Sequence, residues 1–118
     1  MKIISFDTAE RYEPEPDWKR VSLCAEPGVS IEYFVKPPGH ASPVHEHPQA
    51  QVTIVTRGKM IAISSAGEEV ELGEMDAAYF PPDEPHAIRN ALDEVSVGID
   101  VFAPGRSFDF WLKRLKSS

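Results

Sequence analysis

Eleven prolines and seven glycines break this 118-residue chain into short runs rich in β-branched residues. Punctuation at that density leaves little room for long helices and reads as a sandwich or barrel of many short strands. Residues 2–6 are expected to pair as an edge strand, followed by an acidic, proline-broken connector, EPEPDW, over 13–18. Strands are then expected at 20–25 and 29–36, separated by the Pro27-Gly28 turn, with Pro37-Pro38-Gly39 closing the second. A strand ending near Arg57 turns at Gly58 and returns over 59–64; strands at 69–72, 77–81, 86–91 and 95–102 complete the set. No internal repeat is visible.

Alternation assigns faces. In 29–36, Val29, Ile31, Tyr33 and Val35 read as the packed side, opposite a mixed side of Ser30, Glu32, Phe34 and Lys36. In 95–102, Val95, Val97, Ile99 and Val101 form one apolar face, and Ser96, Gly98, Asp100 and Phe102 the other. Small residues followed by an acid and an aromatic suit a strand lining a cavity, although alternation alone favours an edge strand with a solvated polar face. The chain ends in a helix: Ser107 caps it, Asp109 suits its first turn, and Phe108, Trp111, Leu112 and Leu115 recur on one packing stripe. Lys113, Arg114 and Lys116 near its carboxyl end offset the helix dipole.

The stretch GHASPVHEHPQAQVTIVTRG, residues 39–58, carries chemistry. His45 and His47 are two apart, so in extended chain they leave the same face, and Gln51 shares their parity beyond Pro48. Taken alone, an H-x-H in a proline-rich loop is also compatible with two surface histidines. The wider spacing, G-x5-H-x-H-x3-Q-x6-G, resembles the first motif of the cupin superfamily, with Gln51 where that motif has Glu. A second block, MDAAYFPPDEPHAIRN over 75–90, resembles the second cupin motif: Pro81, His86 and Asn90 fall on its marks, while Met75 and Asp83 replace its two glycines. The resemblance implies an all-β, single-domain jelly-roll barrel of the RmlC-like kind over residues 1–118, with a short C-terminal helix. It also implies one divalent metal ion held at His45, His47, Gln51 and His86.

With Gln51 in place of a carboxylate every protein donor in that set is neutral, so the ion keeps its full charge as a Lewis acid. Three imidazoles and an amide suit zinc, nickel, iron or manganese. The combination of H-x-H-P-x2-Q with D-x-F-x-P-x-R at 100–106 is similar to the uronate-linearising cupins of pectin and alginate breakdown, the KdgF type. That resemblance implies an enzyme that opens and ketonises 4,5-unsaturated monouronates, with Asp100, Phe102 and Arg106 as active-site residues; their chemistry suits Asp100 to shuttling a proton, Phe102 to forming an apolar wall and Arg106 to clamping the carboxylate. A metal-dependent dioxygenase and a non-catalytic sugar- or acid-binding cupin remain open, as does a purely structural Asp100–Arg106 pair.

Charge and composition narrow the partners. A net charge of −7 argues against nucleic acid, leaving small molecules or other proteins. No apolar run approaches a membrane span, and Cys24 is alone, so the expected setting is cytoplasmic and reducing. His40 matches no ligand position and is expected at the surface or at the mouth of the site. A small barrel with two-sided apolar strands is expected to cover one sheet as a homodimer, with the Val95–Val101 face either in that contact or in the core.

Overall fold

The computed structural model describes the backbone of residues 1–117 and the side chains of residues 1–114. Nine strands precede one helix among them: β1 (Arg11–Glu15), β2 (Trp18–Ala25), β3 (Ser30–Lys36), β4 (Ala50–Arg57), β5 (Met60–Ile63), β6 (Glu69–Leu72), β7 (Ala77–Phe80), β8 (Ala87–Asn90), β9 (Ser96–Ala103) and α1 (Asp109–Ser117). They form a six-stranded sheet, β1-β2-β3-β9-β4-β7, facing a three-stranded sheet, β6-β5-β8, with every pairing antiparallel. This is the expected all-β jelly roll with a terminal helix. No described helix is long and apolar enough to cross a membrane.

The start of the chain departs from expectation. Residues 2–6 form no strand; Phe6 instead lays its ring edge-on to Tyr33, 5.0 Å between centroids, on the outer side of β3. The edge is taken by β1, which runs into the supposed connector, because Pro16 and Asp17 (φ 69°) turn it straight back onto β2, where Glu15 faces Trp18. A local hairpin closes a far shorter loop than a strand at 2–6 would. Pro14 is tolerated because β1 is an outermost strand whose register shifts between Tyr12 and Glu15.

Alternation locates the faces of β3 correctly, but which face is inside is reversed. Ser30, Glu32, Phe34 and Lys36 are buried toward the lumen, whereas Val29, Ile31 and Tyr33 are half-exposed and only Val35 of the expected packed side is buried. A barrel that holds a polar cavity inverts the usual link between hydrophobicity and interior. On β9 the cavity-lining assignment holds: Ser96, Gly98, Asp100 and Phe102 are buried, and Val97, Ile99 and Val101 are half-exposed. Gly98 is required there, since a Cβ would come within 2.6 Å of the Phe34 ring and 2.8 Å of the Ile54 carbonyl. Met75 and Asp83, which stand where glycines were expected, both adopt the left-handed conformation at φ 67° and 65°.

Two apolar clusters bracket the lumen. Phe34, Val55, Met60, Ala62, Leu72, Phe80 and Ile88 fill one part of the barrel. Tyr12, Phe108 and Trp111, with Trp18 and Leu112, dock the helix onto the β1–β2 hairpin. Ser107 Oγ accepts from the Asp109 N–H at 3.2 Å, capping that helix as expected. The side chains of Leu115 and Lys116 lie outside those described.

Candidate metal centre

Backbone pairing brings the histidines together. His45 and His86 exchange N–H···O bonds of 3.0 and 2.9 Å as an isolated antiparallel bridge, and the His47 carbonyl accepts from the Asp83 N–H at 2.9 Å. Gln51 reaches the same point from the inward face of β4, opposite Phe102 on β9 and Phe80 on β7. The candidate ligand atoms of His45, His47 and His86 lie within 4.8 Å of one another, a triad that could bind a metal ion. The His86 ring stacks on Phe80 with centroids 4.3 Å apart and 12° between planes, and His47 meets Phe102 edge-on at 5.6 Å.

Hydrogen bonding fixes which nitrogen of each ring is free. Nδ1 of His45, His47 and His86 lies 2.8, 2.9 and 2.7 Å from the carbonyls of Pro43, Gln49 and Glu84. A carbonyl only accepts, so Nδ1 carries the proton and Nε2 presents a bare lone pair. Burial pushes the pKa values of His45 and His86 down, which favours that neutral form.

The Gln51 amide is oriented with equal definition. Its Nε2 donates to Thr53 Oγ1 at 2.8 Å and to Asp100 Oδ1 at 3.2 Å, which turns Oε1 toward His47 Nε2 at 2.9 Å and His86 Nε2 at 3.1 Å. With Nδ1 protonated, these last two contacts set acceptor against acceptor, with no proton between them. A cation at the convergence of lone pairs relieves that repulsion, so this donor set fits the metal that the sequence motifs imply.

The three other expected site residues share the cavity. It measures about 520 Å³ and is lined by Asp100, Phe102 and Arg106 together with His45, His47 and Gln51. Asp100 and Arg106 do not pair with one another. Asp100 Oδ2 accepts from Arg20 at 2.6 Å, and its Oδ1 accepts from Thr53 Oγ1 at 2.6 Å as well as from Gln51. Arg106 lies over the Phe102 and Phe110 rings at 4.1 and 4.3 Å and holds Glu32 only at 3.4–3.5 Å. Its buried Nε has no hydrogen-bond partner.

Arg20, Glu32, Thr53 and Trp111 belong to the site but were not singled out from sequence. Glu32 Oε1 accepts from Arg20 Nε at 2.8 Å and from the Trp111 indole at 2.9 Å, and Arg20 lies 4.9 and 4.8 Å from the Phe34 and Trp111 ring centroids. A continuous polar chain thus runs from Arg106 through Glu32, Arg20 and Asp100 to Gln51. The helix residues Phe110, Trp111 and Arg114 line the cavity as well; of the packing stripe's described residues only Trp111 does so. His40 sits in the cavity wall with its ring 4.5 Å from Trp18. Cys24 is half-buried on β2, 3.8 Å from the Val29 carbonyl and away from the cavity.

A family model described as the cupin domain matches residues 32–102, more than half of the chain. An RmlC-like cupin from Shewanella frigidimarina superposes with a TM-score of 0.80 at 23% identity, covering 93% of this chain and 96% of the other. KdgF from a Halomonas species gives 0.77 at 24% identity over 92% and 96%. TT1209 from Thermus thermophilus gives 0.72 at 26% identity over 88% and 98%. No curated protein matches the sequence.

Proposed function

The chain belongs to the cupin domain family, and from that premise we propose that it opens and ketonises 4,5-unsaturated monouronates in the cavity between its sheets. The observation that carries the reading is the combination, in one cavity, of a neutral ligand set with a stacked guanidinium whose Nε is unbonded. His45, His47, Gln51 and His86 would hold the metal, which when bound supplies a Lewis acid that orients and polarises the sugar's hydroxyls.

In this reaction the anomeric hydroxyl gives up its proton, the C1–O5 bond breaks with its electrons passing to O5, and C4 gains a proton as the enol becomes a ketone. Arg106 offers a planar fork for the C6 carboxylate, preorganised between Phe102 and Phe110. Phe102 gives the sugar an apolar wall. Asp100, with both oxygens engaged, acts through Gln51 and Arg20 as a positioning residue. The test is the loss of ultraviolet absorbance from an unsaturated galacturonate or mannuronate, using protein saturated with zinc, nickel or manganese. Turnover above the spontaneous rate is expected. Equality with that rate overturns the reading, and oxygen consumption by the iron-loaded form would identify a dioxygenase instead.

A homodimer accompanies this reading. On the outer face of the six-stranded sheet, Ile31, Val101 and Val52 lie in one cross-strand row and Tyr33, Ile99 and Ile54 in the next, all half-exposed. Contiguous apolar rows of that extent suit a buried contact between copies. Light scattering is expected to give twice the 13.1 kDa chain mass, and Ile99→Glu, in the middle of the patch, is expected to halve it. A monomeric wild type, or a dimer indifferent to that charge, rules the contact out.

A further inference from the structure

Lys36 has no function in the reading above. It is 7% exposed, on the inward face of β3, and its side chain lines the cavity. The other buried Arg, Asp and Glu side chains, Arg20, Glu32 and Asp100, are all ion-paired, but among the described residues Lys36 Nζ has neither a hydrogen bond nor an ion pair. Arg20 cannot help it, and Asp100 is already committed to Arg20, Thr53 and Gln51. Unlike Arg106 Nε and His40 Nδ1, Lys36 Nζ is not sealed from solvent but opens onto the cavity, so it is partly desolvated and has no partner there. Burial, then the nearby Arg20 charge, pull its pKa down to about 8 against the opposing pull of Asp100. Lys36 therefore retains a proton at neutral pH and presents a positive charge to the cavity.

Its placement differs from that of Arg106. The Arg106 guanidinium lies 3.4–3.5 Å from Glu32, the third residue of β3, whereas Lys36 is the last residue of the same strand. Two cations thus stand at separate points along the inward row of β3, and neither has a full set of anionic contacts. Next to Lys36, the buried Nδ1 of His40 also lacks a hydrogen-bond partner.

We propose that Lys36 is a second anion anchor in the cavity, apart from Arg106, and that beyond the monouronates, whose single carboxylate Arg106 takes, the site binds elongated sugar acids bearing a second anionic oxygen at the other end. The inference rests on reading the cavity as a sugar-acid site, but not on turnover there. An ammonium held ready in a low-dielectric wall gains a strong charge-assisted bond when such an oxygen arrives.

Galactarate, galacturonate and galactose present two, one and no carboxylates on a common six-carbon chain. Calorimetric titration of the metal-loaded protein is expected to show galactarate binding about tenfold or more tightly than galacturonate, in line with one added charge-assisted contact. Lys36→Met is expected to remove that preference while leaving metal content unchanged. The same substitution is expected to raise Tm at pH 7, with the gain shrinking toward pH 10. The sign follows from the lowered pKa: the ammonium is a burden to the folded state below pH 8, and between about 8 and 10.5 the unfolded chain holds more protons, so wild-type stability climbs with pH. Lys36→Gln repeats the binding test with a polar side chain. Equal affinities in the wild type, an unchanged ratio in either variant, or a loss of Tm in Lys36→Met overturns the proposal. Failure of uronate turnover appears only in the absorbance assay and leaves the binding ratio as it is.

Discussion

Replacing His47 with alanine is expected to reduce the metal content of the purified protein from about one ion per chain to near zero, and to abolish turnover with it. His47 Nε2 faces Gln51 Oε1 at 2.9 Å while its Nδ1 is tied to the Gln49 carbonyl at 2.9 Å, so the ring has no freedom except to aim its lone pair inward. Removing one of four donors, and the one that also packs on Phe102, leaves an incomplete and less rigid shell. The loss should be specific to the ligand positions. His40 lines the same cavity but is not part of the converging triad, so His40→Ala is expected to retain its metal. Elemental analysis of the two variants decides the matter. Unchanged metal in His47→Ala would show that the cluster is not the binding site.

Local spacing gave a shared face for His45, His47 and Gln51, and only the resemblance to the two cupin motifs joined His86 to them; the three histidines do converge. The cavity-lining character of β9 was only half legible: alternation separated its two faces, but the solvated edge-strand reading fell only with the sheet order, which places β9 between β3 and β4. The ion network was not legible. Arg20 meets Glu32 and Asp100 across sequence separations of 12 and 80, and Trp111 reaches Glu32 across 79. Alternation places Arg20 opposite Val21 without saying whether the charge goes into water or into a barrel. The sharing of one face by Glu32, Phe34 and Lys36 was the available clue, and hydrophobicity pointed the wrong way because part of the barrel interior, opposite its apolar cluster, is a polar cavity. The first strand was misplaced because Pro14 and Pro16 read as breakers, whereas an edge strand and a tight turn accommodate both. A structural Asp100–Arg106 pair, open on sequence grounds, is replaced by two separate pairs, each with a partner on β2 or β3.

That rearrangement explains the amide at position 51. A glutamate there would set a second carboxylate against Asp100 Oδ1, which now lies 3.2 Å from the Gln51 Nε2 that donates to it. Asp100 therefore selects an amide and decides which way it points. Asp100→Asn puts one oxygen and one NH2 group where two accepting oxygens stood. The buried Arg20 can only donate, so the asparagine oxygen must face Arg20 and its NH2 must face Thr53 and Gln51. Gln51 answers by turning over, and its own NH2 then meets the lone pairs of His47 and His86 that would otherwise bind the ion. Metal affinity is expected to fall about ten- to hundredfold, the scale of lost outer-shell support, while circular dichroism shows the variant still folded. Thr53→Val, which removes one of the two acceptors holding the amide but leaves Asp100, is expected to give a smaller drop. Titration against a competing chelator measures both. If Asp100 served only to carry a proton, Asp100→Asn would lose turnover at unchanged metal affinity, and that result would remove Asp100 from the control of Gln51.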